Sequence, residues 1–295
     1  MPDTCSVIIP CYNASPFIGE AIQSVLNQTV PVSEIIVVDD GCSDDSARIA
    51  EGFGAPVRVI RQKNTGVAKA RNAGFVQSKG TWIAFLDADD LWLPDKLEKQ
   101  FAKTKQDYLF VYCDAENFGE CDKLSSCRMA YTTLYEGQVF EHLLVGNFIS
   151  TSGVLVHREV LKRTELFSDR FVYAEDWAMW LRIATLVSFG CVHEPLVRYR
   201  VHSAGISKNT HNVYDASLKI LSWVRTIPES RRFSARTWRL ARSNIEGRRA
   251  WAYDLKGLSC RSAGCYVLAL IFNPWCGYRW KALIRTIICM FGMKK

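Results

Sequence analysis

The chain has eleven cysteines but not one Cys-x-x-Cys pair. Their number is odd and their spacing irregular, which argues against a disulfide framework or a zinc site and for reduced cytosolic thiols. Cys121 and Cys127 are the candidates for a clip, yet their spacing matches no standard zinc motif. Low-complexity tracts and repeats at solenoid spacing are missing too, so fibrous, linker-like and repeat architectures are set aside. No basic leader or long apolar region precedes Ser6–Pro10, so no secretory signal peptide is expected. Several long apolar spans, which a polymer-extruding synthase needs, are also lacking. Ser262–Tyr278 runs 17 residues without a charge, but Asn273-Pro274 interrupts it. Acids are scarce at one end: residues 225–295 hold 15 Lys and Arg against 3 Asp and Glu, whereas residues 1–224 hold 22 against 27. The net charge of +7 therefore hides an acidic body and a basic tail, the latter suited to an anionic partner.

What is present is ample apolar material, 48% of 295 residues, enough for a large α/β domain with an appendage. Apolar β-branched runs at Val7–Pro10, Ile35–Val38, Val57–Ile60 and Trp82–Leu86 alternate with helix-period segments at Pro16–Asn27, Asp44–Phe53 and Val67–Ser78. That alternation predicts βαβ units and a parallel sheet covered on both faces. A further helix is expected over Pro94–Lys105, with Pro94 in its first turn. Strands are expected at Tyr108–Cys113, Gly153–Val156 and Leu196–Val201, and a helix over Ala174–Leu186. From about His211 the pattern is helical, with Arg-rich candidates at Leu218–Thr226 and Arg232–Tyr253. The division predicted is a catalytic body over 1–210 and a helical, basic extension over 211–295. The last segments read as an interfacial amphipathic pair, with Trp275, Tyr278 and Trp280 near headgroups and Arg279, Lys281 and Arg285 on the wet face. Two ordinary helices packed on the body are the alternative.

The chemistry concentrates in Asp87-Ala88-Asp89-Asp90, directly after the run Trp82–Leu86. Packing does not call for adjacent carboxylates, which repel and are costly to desolvate. A hard divalent cation, Mg2+ or Mn2+, would explain them, and such ions work with substrate phosphates. Three other segments are expected at the same carboxyl edge of the sheet, where open α/β sheets bind ligands. Pro10, Tyr12 and Asn13 follow the first strand and can wall a flat base. Asp39-Asp40-Gly41 follows the second: Asp39 can accept from a base imide, Gly41 permits a tight turn, and Ser43 can cap the next helix. Asn64–Gly74, with Lys69 and Arg71, opens a helix whose N-terminus suits anions. Glu175-Asp176 stands at a later helix start, which the macrodipole alone would also favour. Arg200 and His202 close the last strand; a lone His there is as often structural.

In order and spacing these segments resemble the family-2 inverting glycosyltransferases with a GT-A fold, from about Ser6 to His202. The turn after the first strand, Pro-Cys-Tyr-Asn, is unlike the Gly-x-Gly-x-x-Gly of dinucleotide-binding folds. The resemblance implies a GT-A-type doubly wound, mostly parallel sheet with helices on both faces. It implies that Pro10, Tyr12 and Asp39 hold the base and that Asp40 orients the nucleotide. Lys69 and Arg71 would line the donor pocket. Asp87 would contact ribose or sugar, Asp89 would bind the metal, and Asp90 would either stand behind these contacts or touch the sugar itself. Asp176 would be the general base with Glu175 beside it, and His202 would reach the diphosphate or the metal. Arg200 would help neutralise the leaving diphosphate. One departure falls on the acceptor side, where this chain has Glu165-Leu166-Phe167-Ser168-Asp169 and relatives often have a Gly ahead of the corresponding stretch.

The expected activity is metal-dependent, inverting transfer of a hexosyl or N-acetylhexosaminyl group from a nucleotide-diphosphate sugar, with a UDP-sugar favoured. The acceptor expected is a lipid-diphosphate-linked glycan of polysaccharide or lipopolysaccharide synthesis, met at the cytoplasmic face of the inner membrane. A non-catalytic sugar-nucleotide-binding or assembly protein is the alternative. A nucleotidyltransferase would carry a Gly-rich basic loop after the first strand, which Pro10–Asn13 is not. Nucleic acid is not an expected partner, because the aromatic, apolar tail favours a membrane.

Overall fold

The computed structural model describes residues 4–120, 133–202 and 210–290. The chain divides into two compact units, Met1–Val139 with Phe148–Gly205, and Phe140–Asn147 with Ile206–Lys295. The candidate clip at Cys121 and Cys127 lies outside the described residues; the nine cysteines within them are free thiols.

The first unit is built on β1 (Cys5–Cys11), β2 (Glu34–Asp39), β3 (Val57–Arg61), β4 (Trp82–Phe85), β5 (Leu91–Trp92), β6 (Phe110–Gly119), β7 (Val154–His157) and β8 (Phe189–Val201). They form one sheet in the order β3-β2-β1-β4-β7-β6-β8-β5. β3, β2, β1 and β4 run parallel, as the alternation of apolar runs and helical segments predicts. Beyond β4 the sheet is mixed: β7 is antiparallel to both β4 and β6, β6 and β8 are parallel, and β5 is antiparallel to β8. The strand predicted over Leu196–Val201 is longer and starts at Phe189, because the ladder continues past His193 and Glu194 through a bulge. The register between β6 and β8 shifts at Cys113, Asp114 and Ala115, with Pro195 opposite Asp114. A proline that cannot donate to the ladder is tolerated at such an irregularity.

Helices α1 (Ile18–Leu26), α2 (Ser46–Glu51), α3 (Val67–Gln77) and α4 (Lys96–Thr104) connect the strands, followed later by α6 (Arg158–Lys162) and α7 (Glu175–Ile183); α5 (Phe140–Val145) belongs to the second unit. Alternation places successive side chains of β1 on opposite faces. Val7, Ile9 and Cys11 share a core with Ile18, Ala21, Ile22 and Val25 of α1 and Leu97 of α4. Ile8 faces α3, where a Cβ at Gly74 would run into the Ile8 side chain and stand 3.2 Å from Val38 Cγ2. Gly74 therefore lets α3 approach the sheet closely, and α3 also carries Arg71. Pro94 stands just ahead of α4 rather than inside its first turn, and Asp95 is the N-cap residue.

Lys96 is fully buried in α4, with Nζ 3.8 Å from the Trp92 ring centroid and donating to Gln100 Oε1 at 2.8 Å. Gln100 Nε2 donates in turn to Gly153 O at 2.8 Å, and Trp92 Nε1 to Ser152 O at 2.7 Å. These bonds hold the 3-10 turn Thr151–Gly153 in place under β4.

The second unit comprises α5, α8 (Thr210–Val224), α9 (Ala235–Leu255), α10 (Ser259–Phe272) and α11 (Gly277–Met290). Ser234 caps α9, its Oγ accepting from Thr237 N at 3.2 Å. Ala250, Cys265, Tyr266, Leu270 and Leu283 form its small core. Arg279 is buried against Gly247, where a Cβ would stand 2.8 Å from its Nε, and it hydrogen-bonds Ser243 and Asn244. The break at Asn273-Pro274 separates α10 from α11, as the sequence predicts.

Two outcomes test this packing. Gly74→Val is expected to destabilise the protein by about 1–3 kcal/mol, the usual cost of overpacking, read as a lowered denaturation midpoint. Lys96 titrates near 10.5 in an unfolded chain, but burial lowers it to about 8 in the fold. The folded state therefore binds fewer protons in that interval, and stability should rise as pH climbs from about 8 to about 10.5. Lys96→Met, measured by denaturant titration at both ends, should lose this rise.

Candidate active site

Topology brings four strand ends together. Cys11 at the end of β1 pairs with Asp39 at the end of β2, and β4 runs beside β1 into Leu86-Asp87. Strand β5 then pairs with β8, Leu91 opposite Arg198, which carries the end of β8 back over the acids.

The segments that follow β1 and β2 are tied to one another. Asp40 N donates to Cys11 O at 2.8 Å, and Asn13, in the left-handed region at φ 49°, accepts from Ser43 N at 2.8 Å. Asp39 Oδ1 accepts from Cys42 N at 2.8 Å, and Arg61 Nε lies 3.9 Å from its other oxygen. Pro10 is buried in the sheet, whereas Tyr12 is 55% exposed and available to a planar ligand. Asp40 is buried and committed: its carboxylate accepts from Thr65 N at 2.9 Å, Gly66 N at 2.8 Å and Gln62 Nε2 at 2.7 Å. It shapes the loop that opens α3. Ser43 does not cap α2. The N-cap residue of that helix is Asp45, whose side chain makes no cap bond, while Asp44 just before it accepts from Ser46 N at 3.0 Å; burial would raise the Asp44 carboxyl, but bonds from Ser46 and Ser15 hold it down at about 2.

The acids after β4 point to three different partners. Asp87 Oδ1 accepts from Arg71 Nη2 at 2.7 Å. Asp89 Oδ2 is 2.9 Å from His202 Nε2. Asp90 is fully buried and accepts from Ser152 Oγ at 2.6 Å and Arg200 N at 3.0 Å. Burial first, and then the neighbouring Asp87, raises the Asp89 carboxyl. Burial, with Asp87 and Asp89 adding to it, pushes Asp90 well above the usual carboxylate range. Asp90 thus supports the loop from inside.

Arg71 is buried and bridges two regions far apart in sequence. Its Nη1 donates to Glu175 Oε1 at 2.9 Å while Nη2 holds Asp87, and its guanidinium lies 5.3 Å from the Phe167 ring centroid. Burial opposes its charge, but the two carboxylates outweigh burial and raise its pKa. Glu175 and Asp176 open α7; Asp176 is half-buried and accepts from Trp177 N at 2.6 Å. Lys69 faces outward and pairs with Asp169 at 2.9 Å, both more than half exposed. Arg200 donates to Asp89 O at 2.8 Å and Glu20 Oε2 at 2.6 Å, between the rings of Phe17 and Phe118. Trp92, Trp177 and Trp180 are all buried packing residues.

The sequence alone does not single out Ser152, Phe17, Glu20 or Phe118. Ser152 lies in the small polar run Ser150-Thr151-Ser152-Gly153, which was a usable signal; Glu20 sits mid-helix and gives none.

Among the described residues no cluster of three or more His, Cys, Asp or Glu is arranged around one point for a metal. The pair Asp89 and His202 still fits a hard divalent cation, since such an ion takes one or two protein ligands and completes its shell with substrate phosphates and water.

The model of Glycosyl transferase family 2 matches residues 6–164, more than half of the chain, and the protein belongs to that family. An uncharacterized glycosyltransferase of Rickettsia felis is 31% identical over 233 residues, 78% of this chain; the match spans only 38% of that relative's length. Two solved structures share the fold. TarS of S. aureus, in complex with UDP-GlcNAc, aligns with TM-score 0.61 at 17% identity, covering 91% of this chain and 89% of that one. The mannosyltransferase PcManGT of Pyrobaculum calidifontis, in complex with GDP-Man and Mn2+, aligns with TM-score 0.63 at 18% identity, covering 98% and 86%. The mixed α/β sheet is thus GT-A-like.

Arg71→Met should leave the buried Glu175 and the partly buried Asp87 without their cation. The expected loss is about 3 kcal/mol or more in denaturant unfolding. Arg71→Lys, which restores the charge but not the planar fork, should recover only part of it.

Proposed function

We propose that the protein transfers a single sugar, with inversion, from a nucleotide-diphosphate donor to an acceptor hydroxyl, using a divalent cation. The observation that carries this reading is the Asp87–Arg71–Glu175 bridge. One buried guanidinium fixes the acid loop of the donor side against the helix start that bears Asp176. Donor use is supported by the neighbours solved in complex with UDP-GlcNAc and with GDP-Man and Mn2+.

Tyr12, Pro10 and Asp39 would hold the base, and Asp40 would act by shaping the loop under it. Asp89 and His202 would hold the Mg2+ or Mn2+, which when bound supplies positive charge against the departing diphosphate. Arg200, fixed on the Asp89 carbonyl, adds a positive charge at the same edge. Asp87 would contact the ribose or the sugar with the oxygen that Arg71 leaves unbonded. Asp176 would take the proton of the acceptor hydroxyl as that oxygen attacks the anomeric carbon, while the carbon–oxygen bond to the diphosphate breaks. Attack from one side with departure from the other inverts the anomeric centre. Glu175, held by Arg71, would position Asp176. The acceptor we infer is a glycan on a lipid diphosphate at the cytoplasmic face of the inner membrane; the basic, apolar tail supports it.

Purified protein incubated with a panel of nucleotide sugars and lipid-linked acceptors, with and without Mn2+, should release nucleoside diphosphate from one donor only when metal is present. Asp89→Ala and Asp176→Asn should each slow release by about 10²–10⁴-fold. Donor binding by calorimetry without release would favour a sugar-nucleotide-binding protein instead, and no binding to any donor would remove the site assignment.

A further inference from the structure

Seventeen large apolar side chains are exposed among the described residues, and twelve of them lie between Trp251 and Met290. That concentration separates them from the scattered exposed apolar residues of any surface. They are ordered, too. On α10, Val267, Leu268 and Ile271 follow helical spacing on the side opposite the buried Cys265, Tyr266, Ala269 and Leu270, and Trp275 continues the stripe past the helix end. On α11, Trp280, Ile284 and Ile287 recur at the same period, on the face next to the buried Arg279, Leu283 and Thr286. Each helix therefore has one face spent on the core of its unit and a second apolar face turned to solvent. Trp275 is 92% exposed and Ile271 66%, so no described part of the chain covers them.

Charge identifies the occupant. From Leu255 to Lys295 the sequence has seven Lys and Arg and no Asp or Glu. Arg261, Lys281 and Arg285 are exposed among the apolar stripes. A protein partner of mixed surface would not require the complete removal of acids over 41 residues, whereas an anionic headgroup layer would. Indole and phenol rings beside cations are suited to the zone between headgroups and acyl chains. Among the described residues no helix is long and apolar enough to cross a membrane, so the contact is in the plane of the surface.

We propose that the α10–α11 face docks onto a bilayer surface bearing anionic headgroups, with Ile271, Trp275, Trp280 and Ile284 entering the interface and Arg261, Lys281 and Arg285 facing the phosphates. This docking is independent of the transfer chemistry and survives or fails without it. The test is sedimentation of the full chain with phosphatidylcholine vesicles, with and without phosphatidylglycerol. The expected result is binding to the phosphatidylglycerol vesicles that weakens as salt rises. Binding should fall about tenfold or more in the double variant Ile271→Ser, Trp275→Ser and in Arg261→Glu, Lys281→Glu. The affected side chains are exposed, so thermal melting should not move and nucleotide-sugar hydrolysis without a lipid acceptor should be unchanged. No preference for anionic vesicles, or equal binding by both double variants, overturns the proposal. A dimer seen by light scattering that the Ile271→Ser, Trp275→Ser variant abolishes, with no vesicle binding by either protein, overturns it in favour of a second copy of the chain.

Discussion

The first unit depends on keeping three carboxylates within four residues at the end of a buried strand. Two like charges at about 4 Å and an effective dielectric near 20 repel by about 4 kcal/mol, comparable with the whole stability of many domains. The fold meets this by aiming each acid at a different element. Asp87 goes to Arg71 on α3, Asp89 to His202 beyond β8, and Asp90 to Ser152 in the turn before β7 and the backbone of Arg200. None of these partners is adjacent in sequence. The loop therefore acquires its shape only when α3, the β7 turn and the β5–β8 pairing are all in place.

Supporting contacts reach well back into the core. Gly74 sets how near α3 lies to β1, and so the height at which Arg71 meets Asp87. Trp92 and Gln100 hold Ser152 and Gly153 by hydrogen bonds, and Lys96 is buried over Trp92 to hold Gln100. A buried lysine is a costly way to fill a core. Here it orders the amide that pins the turn under the acid loop, so a loss of stability is set against a fixed geometry.

The parallel half of the sheet was legible in the sequence because β-branched runs and helical periods alternate there without interruption. The second half was not. Short β5 has only two residues, β7 returns antiparallel, and β8 begins at Phe189, its first half set off by a bulge from the expected Leu196–Val201. The acids were legible as a cluster, since nothing in packing asks for Asp-Ala-Asp-Asp. Their individual fates were not, because a carboxylate that faces a ligand and one sealed beneath it, such as Asp90, look alike in one dimension. Asp40 was misleading in the same way: it follows Asp39 directly, yet it is consumed by the backbone of Thr65 and Gly66. Arg71 stood out as basic, but only the fold reveals that its two bonds join residues 16 and 104 positions away.

The balance of charge also bears on why a histidine stands opposite Asp89. Around this edge, leaving aside the sealed Asp90, the carboxylates of Asp87, Asp89, Glu175 and Asp176 outnumber the guanidiniums of Arg71 and Arg200, and Arg200 is already shared with Glu20. A diphosphate approaching alone would meet net negative charge. On the proposed reading a divalent cation held by Asp89 and His202 would supply the compensating charge. A fourth carboxylate at position 202 would bind such an ion more tightly but would repel the diphosphate further. An imidazole there would offer a ligand nitrogen without adding a negative charge, which would leave more of a bound cation's field for the phosphates as the sugar leaves.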